Sequence, residues 1–380
     1  MMRLSICGFV FALMVGLATT FATPGRAATP DAGVVITGYA TPIERQIDLV
    51  DQLGVGWVTL PISWSFYEAE PDAYLKPGTD QAARWQQLRV QLEQAKASGL
   101  KVMVTFSTTP QWARQFPESP FSGPSPAHFG DFDAFVGDVS STYGTYIDAY
   151  ATWNEPNINL FWLRPDPAAY ARLHVLAAST IRTNDPKASV VLGPIAGNVE
   201  NSFSYLTLLY ANGVSGTFNR VGWNTYPPGP PWNRVGRENF DGASTGLAAL
   251  FRRLDPGRRV WISETGWSTC EGCPAGTPNV VSPSQQADYL LSALAIKRRY
   301  LRGLVDRIFF YSLADGPNGA QWAENHGLVR FDFKPKPSFS TIRRAESTLT
   351  PPKLRWRRNA EGASGQIANL QLRSRRGVVR

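Results

Sequence analysis

The stretch GWVTLPISW at residues 56–64, followed by ARWQQLRVQLEQAKASG at residues 83–99, shows the pattern on which the whole chain is built. The first segment is short and rich in β-branched and aromatic residues, which is typical of a strand, whereas the second has apolar residues at helical spacing. A strand followed by a helix of this length predicts a crossover unit whose next strand runs parallel to the first.

The same unit recurs along the chain. The other strand-like segments, each followed by a segment of helical period, lie at residues 34–40, 101–108, 148–153, 189–195, 219–227, 258–266 and 306–315. Eight such units favour a closed barrel over an open doubly wound sheet, because no Gly-rich phosphate loop follows the first strand. We therefore predict an α/β fold, a (β/α)8 TIM barrel over residues 28–347, with a short basic C-terminal extension.

The first 27 residues have the composition of an export signal. Arg3 precedes an apolar run from Leu4 to Thr20, and TPGRAA supplies small residues for cleavage around Ala27 or Ala28. A membrane anchor is the alternative, but the apolar run is short for a span. The sequence thus predicts a signal peptide at residues 1–27 and a secreted or periplasmic protein.

The net charge of +8 is concentrated in the last 33 residues. Residues 348–380 contain eight Lys or Arg and a single acid, Glu361, whereas the body of the chain is close to neutral. We therefore expect no nucleic-acid partner for the barrel. The basic tail is interpreted as a solvated extension or as an electrostatic attachment to an anionic polymer or an envelope surface.

The cysteine pattern predicts a disulfide rather than a metal site. Cys270 and Cys273 form a C-x-x-C, but no second pair and no nearby His would complete a zinc site. In an exported chain a small loop disulfide is the better interpretation. The sequence indicates no metal and no cofactor.

Two glutamates follow predicted strands. Glu155 lies in WNEPN after the fourth strand, and Glu264 lies in SETGW at the end of the seventh. In a (β/α)8 barrel the carboxyl ends of the strands form one mouth, where the active site is built. We expect Pro156 to hold Glu155 in an extended conformation, because the residue before proline avoids the helical region. Two carboxyl groups across one mouth can act as acid and nucleophile in glycoside hydrolysis.

WNEPN and SETGW, on strands four and seven of eight, resemble the two catalytic signatures of the retaining glycoside hydrolases built on (β/α)8 barrels. Family 39 and its bacterial exopolysaccharide-hydrolase relatives are the most similar, followed by family 5, and the resemblance covers roughly residues 34–345. It implies that Glu155 is the acid/base and Glu264 the nucleophile. It further implies that Asn154 binds the sugar 2-hydroxyl and that Tyr226 hydrogen-bonds the nucleophile.

The resemblance also implies sugar-binding aromatic residues, and it has departures. The candidates for sugar contacts are Trp64, Trp112, Trp267, Trp322 and Tyr311, the last standing where many relatives have Trp. His326 is either a hydrogen-bonding residue of the site or a loop residue, and the loop is favoured. Thr59 stands where many relatives carry an Arg that supports the nucleophile.

These observations predict a secreted retaining glycoside hydrolase that cleaves β-glycosidic bonds of a polysaccharide, with endo action on exopolysaccharide or cell-wall glycan as one mode. An exo-acting β-xylosidase or a β-glucanase is the first alternative. A barrel that binds glycans without cleaving them is the second.

Overall fold

The computed structural model of this chain describes residues 29–232, 240 and 243–347. The predicted signal peptide and the basic tail lie outside the described residues, as does most of the segment 233–242 after the sixth strand. In the described ranges no helix is both long and apolar enough to cross a membrane.

Eight strands form a closed barrel in sequential order, and every neighbouring pair is parallel. The predicted (β/α)8 fold is confirmed. The strands are β1 (Thr29–Val35), β2 (Val55–Ser63), β3 (Lys101–Ser107), β4 (Ala149–Ala151), β5 (Ser189–Ala196), β6 (Arg220–Asn224), β7 (Val260–Thr265) and β8 (Val305–Tyr311).

Helices connect the strands around the outside of the barrel. Those in the described ranges are α1 (Ile43–Leu53), α2 (Trp64–Tyr67), α3 (Asp80–Ala97), α4 (Phe129–Tyr143), α5 (Pro167–Asn184), α6 (Ser202–Ala211), α7 (Ala243–Leu254), α8 (Pro283–Ile296) and α9 (Pro337–Ser347). Short 3₁₀ turns lie at Ala73–Leu75, Gln111–Ala113, Pro126–His128, Gly144–Tyr146 and Trp322–Glu324, and a π-helical turn at Lys297–Leu301 extends α8.

The first strand lies further toward the N-terminus than the sequence predicted. The apolar run at 34–40 was assigned to it, but β1 ends at Val35, which pairs with Thr59 of β2. Beyond it, only the bond from the Ile36 amide to the Thr59 carbonyl continues the ladder, at 3.0 Å. Residues 37–40 therefore belong to the mouth of the barrel.

The interior of the barrel is closed at its lower end. Trp57, Trp261 and Phe309 are buried there, with the two indole rings 5.1 Å apart edge to face. The Arg307 guanidinium lies over both indoles, at 4.3 and 4.7 Å from their centroids. Since this plug fills the bottom, a substrate site has to open at the carboxyl ends of the strands.

The predicted disulfide between Cys270 and Cys273 is present in the loop after β7 and is thereby confirmed. The Gly272 amide donates to the Gly319 carbonyl at 3.3 Å, so the disulfide loop lies against the loop after β8. That second loop carries Trp322, one of the predicted sugar-binding residues.

Candidate active site

Glu264 lies on β7 at the mouth of the barrel, and its carboxylate accepts a hydrogen bond from the Tyr226 hydroxyl at 2.5 Å. This is the contact that the resemblance implied for Tyr226. The backbone of Tyr226 is held by the side chain of Asn198, which accepts from its amide at 2.9 Å and donates to its carbonyl at 2.5 Å. The phenol is thus fixed against the carboxylate before any substrate arrives.

Glu155 does not have the extended conformation that its position before Pro156 predicted. Its φ is +44°, in the left-handed region that residues with side chains rarely adopt. The prediction was wrong because tertiary contacts override the local preference. The Glu155 amide donates to the Pro194 carbonyl at 2.8 Å, and the Asn157 side chain bonds both the amide and the carbonyl of Ala196. Such strain is concentrated at functional sites.

A side chain to which the sequence analysis assigned no role connects the two halves of the site. Asn224, the last residue of β6, donates to Glu155 Oε1 at 2.9 Å. The side-chain oxygen of Asn224, Oδ1, accepts a hydrogen bond from the Ser263 hydroxyl at 2.7 Å, and this bond orients the side-chain amide group. Asn224 lies two residues before Tyr226, so strand alternation alone places the two on one face and could have identified it.

Both carboxyl groups titrate well above the ordinary range of glutamate. Burial raises the pKa of Glu155, and only the hydrogen bond from Asn224 opposes this effect. Burial also raises the pKa of Glu264, and the negative charge of Glu155 raises it further. The hydrogen bonds from Tyr226 and Asn224 lower the pKa of Glu264 and favour its ionised form. A pair of this kind retains one proton near neutral pH.

An aromatic wall stands beside Glu264. Tyr226 contacts Tyr311 at 5.9 Å, Trp322 at 5.7 Å and His326 at 5.5 Å between ring centroids, all edge to face. His326 is fully buried, and burial lowers its pKa to about 3, so the ring is neutral. The sequence favours a plain loop role for His326, whereas in the structure its ring packs directly against Tyr226.

Two of the predicted sugar platforms are core residues instead. Trp64 and Trp267 are both completely buried, so no sugar ring can stack on them. Trp64 begins α2 and donates to Glu68 at 2.5 Å, whereas Trp267 donates to the Gly229 carbonyl at 3.2 Å. Of the other candidates, Trp322 and Tyr311 are partly exposed in the aromatic wall, and Trp112 is partly exposed against Trp64.

Asn154 and Thr59 each have an oxygen without a partner. The Asn154 side-chain oxygen is buried and accepts no hydrogen bond from any described residue. Thr59 is 4% exposed, and its hydroxyl is likewise unpartnered within the described ranges. The contact of Asn154 with a sugar hydroxyl stays a prediction.

Similar solved structures include a family 39 glycoside hydrolase from the gut symbiont Bacteroides cellulosilyticus WH2, with a TM-score of 0.67 and 20% identity over 84% of this chain and 64% of that one. A hyperthermophilic β-glucosidase from Pyrococcus furiosus has a TM-score of 0.60 and 14% identity over 86% and 96% of the two chains. The β-glycosidase BGL167 has a TM-score of 0.58 and 18% identity over 80% and 85%.

These neighbours are glycoside hydrolases, in agreement with the resemblance seen in the sequence. The present chain spans less than two thirds of the length of the family 39 structure. No protein-family model and no curated protein matches the chain. At these identities the likeness establishes the shared barrel fold.

Proposed function

We propose that this protein is a retaining glycoside hydrolase that cleaves β-glycosidic bonds by double displacement. The observation that carries the proposal is the pair of glutamates in one mouth, Glu155 and Glu264. Glu155 is buried and Glu264 is partly buried, and the negative charge of Glu155 raises the pKa of Glu264. The hydroxyl of Tyr226 on Glu264 supports the assignment of Glu264 as the ionised partner.

In the first step Glu155 donates its proton to the glycosidic oxygen while an oxygen of Glu264 attacks the anomeric carbon. The bond between that carbon and the leaving group breaks, and the leaving group departs with the proton. A glycosyl ester of Glu264 remains. In the second step Glu155 takes a proton from water, the resulting nucleophile attacks the anomeric carbon, and Glu264 is released. Two inversions return the original anomeric configuration.

The site electrostatics suit this sequence of protonation states. The first step needs one proton on the pair, carried by Glu155, while Glu264 is ionised; the raised pKa values of both groups favour a singly protonated pair near neutral pH. The hydrogen bond from Tyr226 favours the ionised form of Glu264, and the proposed mechanism places the proton of the pair on Glu155 when substrate is bound. Asn224, which bonds Glu155, sets how readily that proton is released.

The substrate that fits an exported enzyme is a polysaccharide, and we propose endo action on exopolysaccharide or cell-wall glycan. The export signal expected at residues 1–27 supports this, as does the Cys270–Cys273 disulfide, since disulfides persist in oxidising compartments. Exo action as a β-xylosidase or β-glucanase is the second candidate, and the presence of β-glucosidases among the neighbours supports it.

The purified protein, screened against a panel of polysaccharides with the products analysed by mass spectrometry, tests the function. Release of long oligosaccharides supports endo action, and release of monosaccharides alone supports exo action. Binding without release would point to a glycan-binding barrel. If the protein neither binds nor hydrolyses any β-linked glycan of the panel, the proposal is contradicted.

The pH profile should respond to Asn224. The replacement Asn224→Ala removes a donor that stabilises the ionised forms of both Glu155 and Glu264, so both pKa values rise and the acidic limb moves up as well. Since Glu155 acts as an acid while protonated, the alkaline limb of kcat/KM should move to higher pH, by about one pH unit for a charged hydrogen bond. Initial rates from pH 4 to 10 measure the shift.

Thr265→Val is the matched control for that experiment. Thr265 is a fully buried β7 residue whose hydroxyl has no partner among the described residues. Its replacement by the isosteric Val should leave both limbs in place. An alkaline limb that stays fixed in Asn224→Ala, or moves to lower pH, would refute the role of Asn224.

A further inference from the structure

The inner face of β2 opens to solvent partway along the strand. Trp57 and Thr59 are buried, Pro61 is exposed and Ser63 is partly exposed. Trp57 belongs to the plug inside the barrel, so strand alternation places Thr59, Pro61 and Ser63 on the inner face as well. The alternate residues Val58, Leu60 and Ile62 are buried on the outer face of the strand, which the helices cover. The exposure of Pro61 therefore marks a pocket inside the barrel, on the β2 side of the mouth.

Three hydroxyl groups form the rim of this pocket. Thr108 Oγ1 lies 2.6 Å from Ser63 Oγ and 2.9 Å from Ser65 Oγ, and the two serine hydroxyls are 3.3 Å apart. All three side chains are partly exposed. Each hydroxyl can donate and accept, so the cluster has hydrogen-bonding capacity beyond its internal contacts.

Thr108 adopts a conformation that its residue type disfavours. It follows β3 directly with a φ of +58°, which is unusual for a β-branched residue. Left-handed backbone interrupts the alternation of the strand and allows the Thr108 hydroxyl to meet Ser63 of the neighbouring strand. Glu155, just beyond the next strand, has the same kind of backbone. Strained residues are thus placed at two adjacent strand ends of one mouth.

Two buried threonine hydroxyls near this pocket have no hydrogen-bond partner among the described residues. Thr37 and Thr59 are 7% and 4% exposed, and neither hydroxyl has a partner in the described part of the chain. Val35 pairs with Thr59 on the neighbouring strand, and Thr37 follows two residues after Val35, at the mouth of the barrel. Buried polar atoms without a partner are uncommon and call for an explanation such as a bound water or ligand.

We propose that Pro61, Ser63, Ser65 and Thr108 form a second sugar-binding subsite, which takes an uncharged pyranose unit adjoining the unit held between Glu155 and Glu264. The pyrrolidine ring offers an apolar surface to the sugar ring, and the hydroxyls bond its hydroxyl groups. The inference rests on the proposed function and extends it, since it makes the substrate a chain of at least two neutral sugars.

The test compares a long and a short substrate in one variant. In Thr108→Gly the hydroxyl is lost, and glycine adopts the left-handed backbone conformation of this position without strain. The ratio of kcat/KM on a neutral β-linked tetrasaccharide (cellotetraose, laminaritetraose or xylotetraose) to kcat/KM on an aryl monoglycoside should fall about tenfold, as for one lost hydrogen bond. Most of the change should be in KM for the tetrasaccharide.

Thr109→Val is the matched control, because the neighbouring Thr109 is fully buried and its hydroxyl has no partner among the described residues. The ratio should not change in this variant. Ser63→Ala should lower the ratio as Thr108→Gly does. An equal loss on both substrates, or no loss on either, would overturn the subsite and leave the proposed function standing.

Binding gives a readout that does not depend on turnover. Saturation-transfer NMR with the same three tetrasaccharides, on Glu264→Gln protein with and without Thr108→Gly, should show weaker binding in the double variant. Unchanged binding, or no binding of any of the three to the Glu264→Gln protein, would overturn the subsite even if the wild-type protein hydrolyses other glycosides.

Discussion

Incubation with a 2-deoxy-2-fluoro glycoside that carries a good leaving group is expected to add one glycosyl group to the protein, at Glu264. Fluorine at C2 destabilises the oxocarbenium-like transition states of both steps, but the activated leaving group rescues only the first. The ester on Glu264 therefore accumulates. Intact-mass measurement detects the adduct, and peptide mapping should place it in VWISETGW at residues 260–267.

The Glu264→Gln variant is the control for this labelling. It should take up no glycosyl group, and its kcat should fall on the order of 10⁴-fold or more, as expected when a covalent nucleophile is removed. NMR of the first product should show a retained anomeric configuration. An adduct on another residue, or an inverted product, would contradict the assignment of Glu264.

Glu155→Ala is expected to slow substrates with poor leaving groups by about 10²- to 10⁴-fold, and activated aryl glycosides far less in the first step. The reason is that a poor leaving group needs the proton of Glu155 to depart, whereas an activated one departs unaided. Steady-state and pre-steady-state rates on a series of aryl glycosides of graded leaving-group pKa measure the difference.

Added azide should restore turnover in Glu155→Ala, because a small anion can attack the glycosyl ester without a general base and occupies the space left by the carboxylate. The product would be a β-glycosyl azide. Glu70→Ala is the control, since Glu70 is an exposed glutamate between α2 and the 3₁₀ turn at Ala73–Leu75. It should show neither the leaving-group dependence nor the azide effect. If Glu155→Ala also shows neither the leaving-group dependence nor the azide effect, Glu155 is excluded as the acid/base.

The barrel could be predicted from the sequence because the pattern of a strand followed by a helix is local and is repeated eight times. Each strand-like segment is followed by a helical period, and eight such units leave little choice of topology. The two glutamates could be placed at one mouth for the same reason, since the ends of parallel strands meet there. Their catalytic roles stay predictions until the labelling and kinetic experiments are done.

Where the sequence analysis was wrong, burial or backbone geometry depended on distant residues. Trp64 and Trp267 follow strands just as sugar platforms do, yet both are completely buried, Trp64 in contact with Trp112 and Trp267 in contact with Tyr289. Glu155 precedes a proline and should be extended, yet a hydrogen bond to Pro194 on the next strand accompanies its left-handed conformation. Neither outcome follows from local preference.

The sequence by itself determined the order of strands and helices, the end of the barrel at which a site is built, and the two strands that Glu155 and Glu264 follow or end. Only the tertiary structure decided which side chains meet there. Asn224 reaches Glu155 across 69 positions of sequence, and Thr108 reaches Ser63 across 45. Periodicity specifies the face on which a residue lies, but contacts between strands depend on register, barrel closure and loop packing, which arise only when the whole chain is folded.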